Sequence, residues 1–239
     1  VGRNAAVSAV LILSLTTVGL DAGYWIYQRF WRQDLRVTMI DVGHGSAVLL
    51  EFPGGGTALV DGGGFADSAT FDVGGRVVAP LLWNRKIATI DTLILTHPNS
   101  DHVNGLVFIA ENFHVRALWT NGESRPIKGL EALMHAAAQS GIAVPGFAEL
   151  PRESMMNGVQ VEVLYPPVGF LDRQRADRWR QDENNNSLVI RLSLGQVSVL
   201  IPGDIMRPAE KELVALAGGQ LKSTFLIAPH HGSRSSSSE

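Results

Sequence analysis

The chain has 239 residues, no cysteine and a formal net charge of -3. That length fits one domain of about 200 residues with a short appendage, and the missing thiols exclude disulfides and thiolate catalysis. The acidic balance argues against a basic surface that coats nucleic acid, but it leaves room for an enzyme that meets phosphate with a metal in a local groove.

Residues 5–20 are nearly all Ala, Val, Leu, Ile, Ser and Thr, and Asp21 is followed by Tyr24, Trp25, Tyr27, Phe30 and Trp31. Crossing hydrocarbon takes roughly 20 apolar residues and aromatic rings suit the boundary, so residues 1–35 read as a transmembrane and juxtamembrane helix. A buried core helix is the plainer alternative. A signal peptide fits less well, because a basic leading region and a small-residue cleavage site are both missing. Arg29, Arg32 and Arg36 come after the segment and only Arg3 precedes it, which by the positive-inside tendency favours the cytoplasm for the globular part. Opening on Val1, the chain reads as a piece of a longer polypeptide.

Residues 36–239 read as one globular domain. Residues 36–41 (R-V-T-M-I-D), 46–52 (S-A-V-L-L-E-F) and 57–61 (T-A-L-V-D) are short strands joined by glycine turns, an antiparallel meander. The run Gly62-Gly63-Gly64 permits positive φ or close approach to a ligand, and a tight Asp-Gly turn explains it equally well. His44, between two glycines, reads as a solvated turn histidine that could face a site. A helix is expected from near Val77, a strand over 91–96, and a helix over 103–113 from the spacing of Val103, Leu106, Val107 and Ala110. A strand over 115–119 precedes an amphipathic helix over 127–140, carried by Leu130, Leu133, Met134 and Ala137 and ended by Gly141. This alternation predicts an α/β (α+β) fold.

A second block of strands starts at Val159 and runs through Pro166-Pro167 into a polar stretch, 172–186. There Arg173, Arg175, Arg178 and Arg180 face Asp172, Asp177, Asp182 and Glu183, a balance that predicts a solvated loop or helix face. Strands over 187–194 and 196–201 flank a Gly195-Gln196 hairpin, and the second ends in Pro202-Gly203-Asp204. A last strand, 224–228, ends in Pro229-His230-His231-Gly232.

Four apolar strands therefore end in the same chemistry: at Asp61, at His97 with Asp101 and His102, at Asp204, and at His230 with His231. Imidazole and carboxylate are natural ligands of a divalent cation, and the carboxyl ends of strands are where open α/β sheets place their sites. The stretch 96–102 (T-H-P-N-S-D-H) lies where a strand passes into a helix, whose first turn favours an anionic substrate. Each element has a plainer alternative. His97 can be a turn residue, Asp204 can cap a helix starting near Pro208, and His230-His231 can form a turn, but all four coinciding is much harder to explain that way.

The segments D-V-G-H-G-S-A (41–47), L-V-D-G-G (59–63), T-H-P-N-S-D-H-V-N-G-L (96–106), E-N-N-N-S-L-V-I-R (183–191), G-D-I (203–205) and the stretch 229–236 resemble, in that order, the metallo-β-lactamase superfamily. Within it they are most similar to the β-lactamase-like domain at the end of the ComEC family of DNA-uptake (competence) membrane channels. The resemblance implies a four-layer αββα sandwich with metals along one edge. It makes His97 a ligand of a first metal site, Asp101 and His102 ligands of a second, Asp204 the bridging carboxylate and His230 the final histidine, with His231 as the fallback. Asp61, Asn99, His231 and His44 are candidates for supporting that shell. Two departures stand out. Asn99 occupies a place where many members have histidine or, in this family, an acid, and Asn184, Asn185 and Asn186 stand where many have another histidine. The second site is therefore expected to be the tighter one. Family members continue beyond the serine-rich stretch at Glu239, so a sandwich lacking late strands is expected.

The function implied is hydrolysis of DNA phosphodiester bonds during uptake, with one or two divalent ions, zinc or manganese, and with Asp101 and Asp204 as proton acceptors. Expected partners are DNA, the lipid membrane through the first helix, and the rest of a larger membrane channel, with no oligomer. Two other readings stand beside it: a non-catalytic domain that grips DNA over a degraded metal site, and a hydrolase of a small ester or lactam. The arginine count favours the cytoplasm, but cleavage of incoming DNA belongs on the outer face of the cell membrane, and the outer face is the expectation.

Overall fold

The computed structural model describes residues 2–66, 71–170 and 177–238, so the expected charges at Asp172, Arg173 and Arg175 lie outside the described residues. Among the described residues ten strands form two five-stranded sheets. In the first, β1 (Arg36–Met39), β2 (Val48–Glu51) and β3 (Thr57–Val60) pair antiparallel as the glycine turns predict, and β4 (Thr89–Ile94) and β5 (His114–Trp119) then add in parallel. In the second, β6 (Glu153–Met156), β7 (Val159–Tyr165), β8 (Val189–Leu194) and β9 (Val197–Ile201) form an antiparallel meander, and β10 (Phe225–Leu226) lies parallel to β9.

Strand alternation divides the core into layers. Leu49, Leu59, Leu93 and Leu95 face helices α2 (Ala79–Asn84), α3 (Ser100–Asn112) and α4 (Lys128–Gln139), while Val48, Leu50, Ala58, Val60 and Ile94 face the second sheet. From that sheet Val159, Val161 and Val163 point inward, but an irregularity in register between Val163 and Tyr165 turns Tyr165 to the outer face. There it packs with Val189 and Leu200 against Ile205, Ala209 and Leu213, the last two from α5 (Arg207–Ala217). The order is helix, sheet, sheet, helix, as expected. It explains why the central strands read as continuous apolar runs, since both of their faces are covered.

Ahead of the sandwich, α1 (Gly2–Ile26) and a π-helical turn (Tyr27–Trp31) keep their apolar side chains exposed, with Leu13 at 69 % and Leu15 at 72 %. At 25 residues α1 is about 38 Å long, long and apolar enough to cross a bilayer.

Three expectations need correction. Helix α3 starts at Ser100, which draws Asp101 and His102 into its first turn. On α4 the buried stripe is Leu130, Leu133, Ala136 and Ala137, and Met134 is 40 % exposed, because at about 100° per residue it falls beyond the edge of that stripe. The stretch 177–186 is solvated only in part: Arg178, Gln181 and Asp182 are exposed, but Arg180, Asn185 and Asn186 are buried. Arg180 stacks 4.3 Å from the Trp179 ring, donates to Tyr165 Oη at 3.1 Å, and is paired with Glu212 and, at 3.3 Å, Asp177. Its charge enters the interior because carboxylates meet it there.

The first turn of α3 presses directly on the loop after β3. Gly62 N–H donates to the His102 carbonyl (2.8 Å) and Gly105 N–H to the Gly63 carbonyl (2.9 Å). A Cβ at Gly105 would overlap the Gly62 carbonyl, backbone against backbone, so no rotamer change relieves it. We expect Gly105→Ala to lower unfolding free energy by about 1–3 kcal/mol in urea titrations. A variant as stable as the parent would show that α3 does not sit this close.

Candidate metal centre

Asp61 follows β3 directly, in a left-handed backbone conformation (φ 58°) and 1 % exposed. Its Oδ1 accepts the Thr96 N–H and its Oδ2 the Thr96 hydroxyl, each at 2.8 Å, so the ends of neighbouring strands β3 and β4 are tied through one carboxylate. The same Oδ2 lies 2.8 Å from His102 Nδ1. That bond fixes the ring and directs Nε2 into the cleft, as orienting carboxylates do for histidine ligands.

Around His102 Nε2 stand Asp204 Oδ2 at 3.3 Å and Asp101 Oδ2 at 3.9 Å, and His231 Nε2 lies 3.1 Å from Asp204 Oδ2 and 3.5 Å from Asp101 Oδ2. One donor atom from each of these four residues lies within 4.8 Å of the other three. Asp204 and His231 come from the turns after β9 and β10, so each sheet contributes a pair of parallel neighbours. The Asp204 N–H is held by Ser187 Oγ (3.1 Å), and the histidine turn is tied back by a bond from His230 N–H to the Gly203 carbonyl (3.2 Å).

His97 is fully buried, its ring centroid 4.1 Å from that of His102. Its Nδ1 lies 3.0 Å from Thr96 Oγ1 and 3.3 Å from Ser187 Oγ. Because the Thr96 hydroxyl gives its proton to Asp61 and the Ser187 hydroxyl gives its own to the Asn184 carbonyl, both oxygens accept, and Nε2 of His97 keeps its lone pair. Among the described residues Nε2 of His97 is buried without a hydrogen-bond partner, and Nε2 of His102 is buried facing only the Asp204 and Asp101 carboxylates. An orphaned nitrogen of this kind needs an explanation, and a bound cation supplies one.

The charge distribution points the same way. Burial opposes protonation of His102, but the Asp61 and Asp204 carboxylates outweigh it and hold the ring up at about 10. Hydrogen bonds to Asp101 and Asp204 lift His231 to about 9. Burial alone would raise Asp101 and Asp204, yet the two histidines bring Asp101 down to about 2 and Asp204 below the usual carboxylate range. His97 is lowered to about 3, chiefly by burial and then by the charge on His102, so it is a neutral base. Two carboxylates thus face two protons, and one divalent cation brings the same positive charge in a single ion while displacing them. Two imidazoles with two carboxylates is a donor set suited to zinc or manganese.

The remaining sequence candidates divide clearly. His44 sits on the rim, its side chain 75 % exposed, with Nε2 3.5 Å from Asp101 Oδ2. Asn99 donates to Asn184 Oδ1 at 2.6 Å, and Asn184 Nδ2 is 3.5 Å from His230 Nε2. His230, bonded through Nδ1 to Ser235 Oγ (3.0 Å), therefore lies beside the asparagines, and its neighbour His231 is the histidine inside the four-residue group. Both histidines have left-handed backbones, at φ 49° and 52°. With Asp61 they make three of the six non-glycine residues of positive φ among the described residues, strain gathered at one place. Sequence reasoning passed over Thr96 and Ser187, the hydroxyls that set the His97 ring; their adjacency to His97 and to the asparagine run was the available signal.

The family model of the metallo-beta-lactamase superfamily matches residues 40–239. The chain is 27 % identical over 213 residues to ComE operon protein 3 of Bacillus subtilis (strain 168), covering 85 % of this chain and 26 % of that protein. It is 29 % identical over 245 residues to Competence protein ComA of Neisseria gonorrhoeae, covering 98 % of this chain and 30 % of that one. The chain therefore spans less than a third of either relative. Among solved structures, CmlA, a diiron beta-hydroxylase from Streptomyces venezuelae, aligns with a TM-score of 0.47 and 16 % identity over 81 % of this chain and 34 % of that one.

Competition with a chromophoric chelator measures zinc affinity directly. We expect His231→Ala to weaken it by more than about a hundredfold, Asp61→Asn by about 10–100-fold, and His230→Ala by no more than a fewfold. The reverse order for the two neighbouring histidines would move the site.

Proposed function

The chain belongs to the metallo-beta-lactamase superfamily, and from that premise we propose that it is a metal-dependent phosphodiesterase that cleaves DNA at a membrane channel for DNA uptake. The observation that carries the proposal is the convergence of Asp101, His102, Asp204 and His231, with the buried Nε2 of His97, unpartnered among the described residues, beside them. The similarity to ComE operon protein 3 and to Competence protein ComA, together with the resemblance of the motifs to DNA-uptake channel proteins, supports DNA as the substrate. In this reading residues 1–35 cross the cell membrane and residues 36–239 form the catalytic domain on its outer face, as part of a larger channel.

Asp101, His102, Asp204 and His231, next to His97, would hold a zinc or manganese ion, which would supply Lewis acidity to bring bound water toward neutral pKa and to offset charge on phosphoryl oxygens. The chain does the rest. Asp101 stays ionised at neutral pH and is 19 % exposed in its side chain, so it can take the proton of an attacking water, and His44 on the rim is placed to pass that proton to solvent. Asp61 and Thr96 keep His102 and His97 in their orientations throughout. Asn99 and Asn184 carry amides, better suited to hydrogen bonding with phosphate oxygens than to ligation. Next to Asp204 and His231, a cleft of about 290 Å³ carries Met39, Ile201 and Ile227, an apolar wall that fits a base or deoxyribose.

Incubation of the purified chain with labelled single- and double-stranded DNA, in manganese or zinc and again in chelator, tests this. Cleavage should require metal and fall by at least about a hundredfold in Asp101→Asn. DNA binding without cleavage would leave only a gripping domain. Indifference to DNA with turnover of a small ester or lactam would reassign the substrate.

A further inference from the structure

Where the π-helical turn after α1 meets the first sheet there is a second cleft, of about 160 Å³, lined among others by Trp25, Arg29, Arg32, Arg36, Arg85 and Lys86. Two carboxylates stand against these five cations. Glu51 pairs with Arg85 and, at 3.9 Å, with Arg36, and Asp34 pairs with Arg32 at 3.2 Å. Among the described residues Arg29 and Lys86 have no carboxylate partner. In a chain of net charge -3, this is a local excess of positive charge.

The cleft is built rather than incidental. Arg32 is 7 % exposed and is held by bonds to the carbonyls of Gln28 (3.2 Å), Asp34 (2.8 Å) and Glu51 (3.1 Å). The Arg29 guanidinium donates to the Lys86 carbonyl at 3.2 Å, which joins the helical turn to the end of α2. Lys86 itself follows α2 in a left-handed conformation (φ 56°), with the Lys86 and Ile87 N–H groups closing the helix on Trp83 and Leu82. Glycine is the usual occupant of such a position, and here it carries a cation instead.

Topology sets the cleft apart from the metal centre. Arg36 begins β1, Glu51 ends β2, and Arg85 and Lys86 precede β4, whereas Asp61 and His97 follow the far ends of β3 and β4. The six residues of β4 put about 20 Å between the two ends of the sheet. The cations therefore lie at the end nearest the apolar helix, beside Trp25 and Phe30, at the depth where headgroups lie if α1 crosses a bilayer.

We infer that this cleft binds the phosphate of an anionic phospholipid headgroup. The inference rests on the reading of α1 as a membrane span. Bound there, the lipid would fix the sandwich against the membrane with its metal centre turned away.

The test uses the full chain and two lipids, phosphatidylglycerol and phosphatidylcholine. Native mass spectrometry from detergent should show phosphatidylglycerol retained about 25-fold more tightly, since each of the two unpaired cations near an anionic lipid surface contributes a factor of about five. In Arg29→Gln/Lys86→Gln the preference should fall to near unity. Lys86→Gly, which removes one cation while relaxing the left-handed turn, should lower it with no loss of fold by circular dichroism. Equal retention of the two lipids by the parent chain, or an unchanged preference in the double variant, overturns the inference. So does displacement of the lipid by equimolar inorganic phosphate, or a double variant that loses affinity for a duplex oligonucleotide and keeps its lipid preference. Alkaline carbonate extraction from phosphatidylcholine vesicles separates the two readings. A chain that resists extraction yet shows no lipid preference refutes the lipid site alone, and one that is extracted refutes the span and the lipid site together.

Discussion

One carboxylate organises the chemistry of this molecule. Asp61 is sealed from solvent, accepts both polar groups of Thr96 and faces His102 Nδ1, so it joins the ends of two strands and aims an imidazole from the following helix in one set of contacts. Burial drives its pKa upward, and the charge on His102 and the hydrogen bonds from His102 and Thr96 pull it back. A carboxylate in that position is tolerable only while all these partners are present, so the geometry of the site and the integrity of the β3–β4 edge depend on each other.

The second constraint is topological. Parallel pairing of β3 with β4, and of β9 with β10, gives each sheet two adjacent carboxyl ends, and stacking the sheets brings the two pairs to one edge. His102 Nε2 and Asp204 Oδ2, 3.3 Å apart, bridge the sheets there. Glycines allow the close approach: a side chain at Gly62 would strike the backbone of Gly105 and Leu106. The opposite end of the first sheet carries arginines and α1. The domain is polarised along its strands, with apolar helix and cations at one end and carboxylates and imidazoles at the other.

Much of this was readable from the letters. Apolar runs ending in Asp or His marked the strand ends that meet, and the glycine turns marked the antiparallel meander. What escaped depends on contacts distant in sequence or on single backbone angles. Nothing in a His-His pair says which ring turns inward, because that is decided by two consecutive left-handed residues and by a bond to Gly203. Arg180 looked solvated because its partner Glu212 lies on a helix far along the chain. The hydroxyls of Thr96 and Ser187 are marked in the sequence only by standing next to His97 and to the asparagine run, and their role shows once His97 is seen between them.

X-ray absorption at the zinc edge of the metal-loaded chain addresses the central claim most directly. The account predicts a shell of mixed nitrogen and oxygen donors at about 2.0–2.2 Å, with outer scattering from at least two imidazoles. A shell of oxygen alone, without imidazole scattering, would contradict it, because the strand ends would then not gather their histidines around a cation.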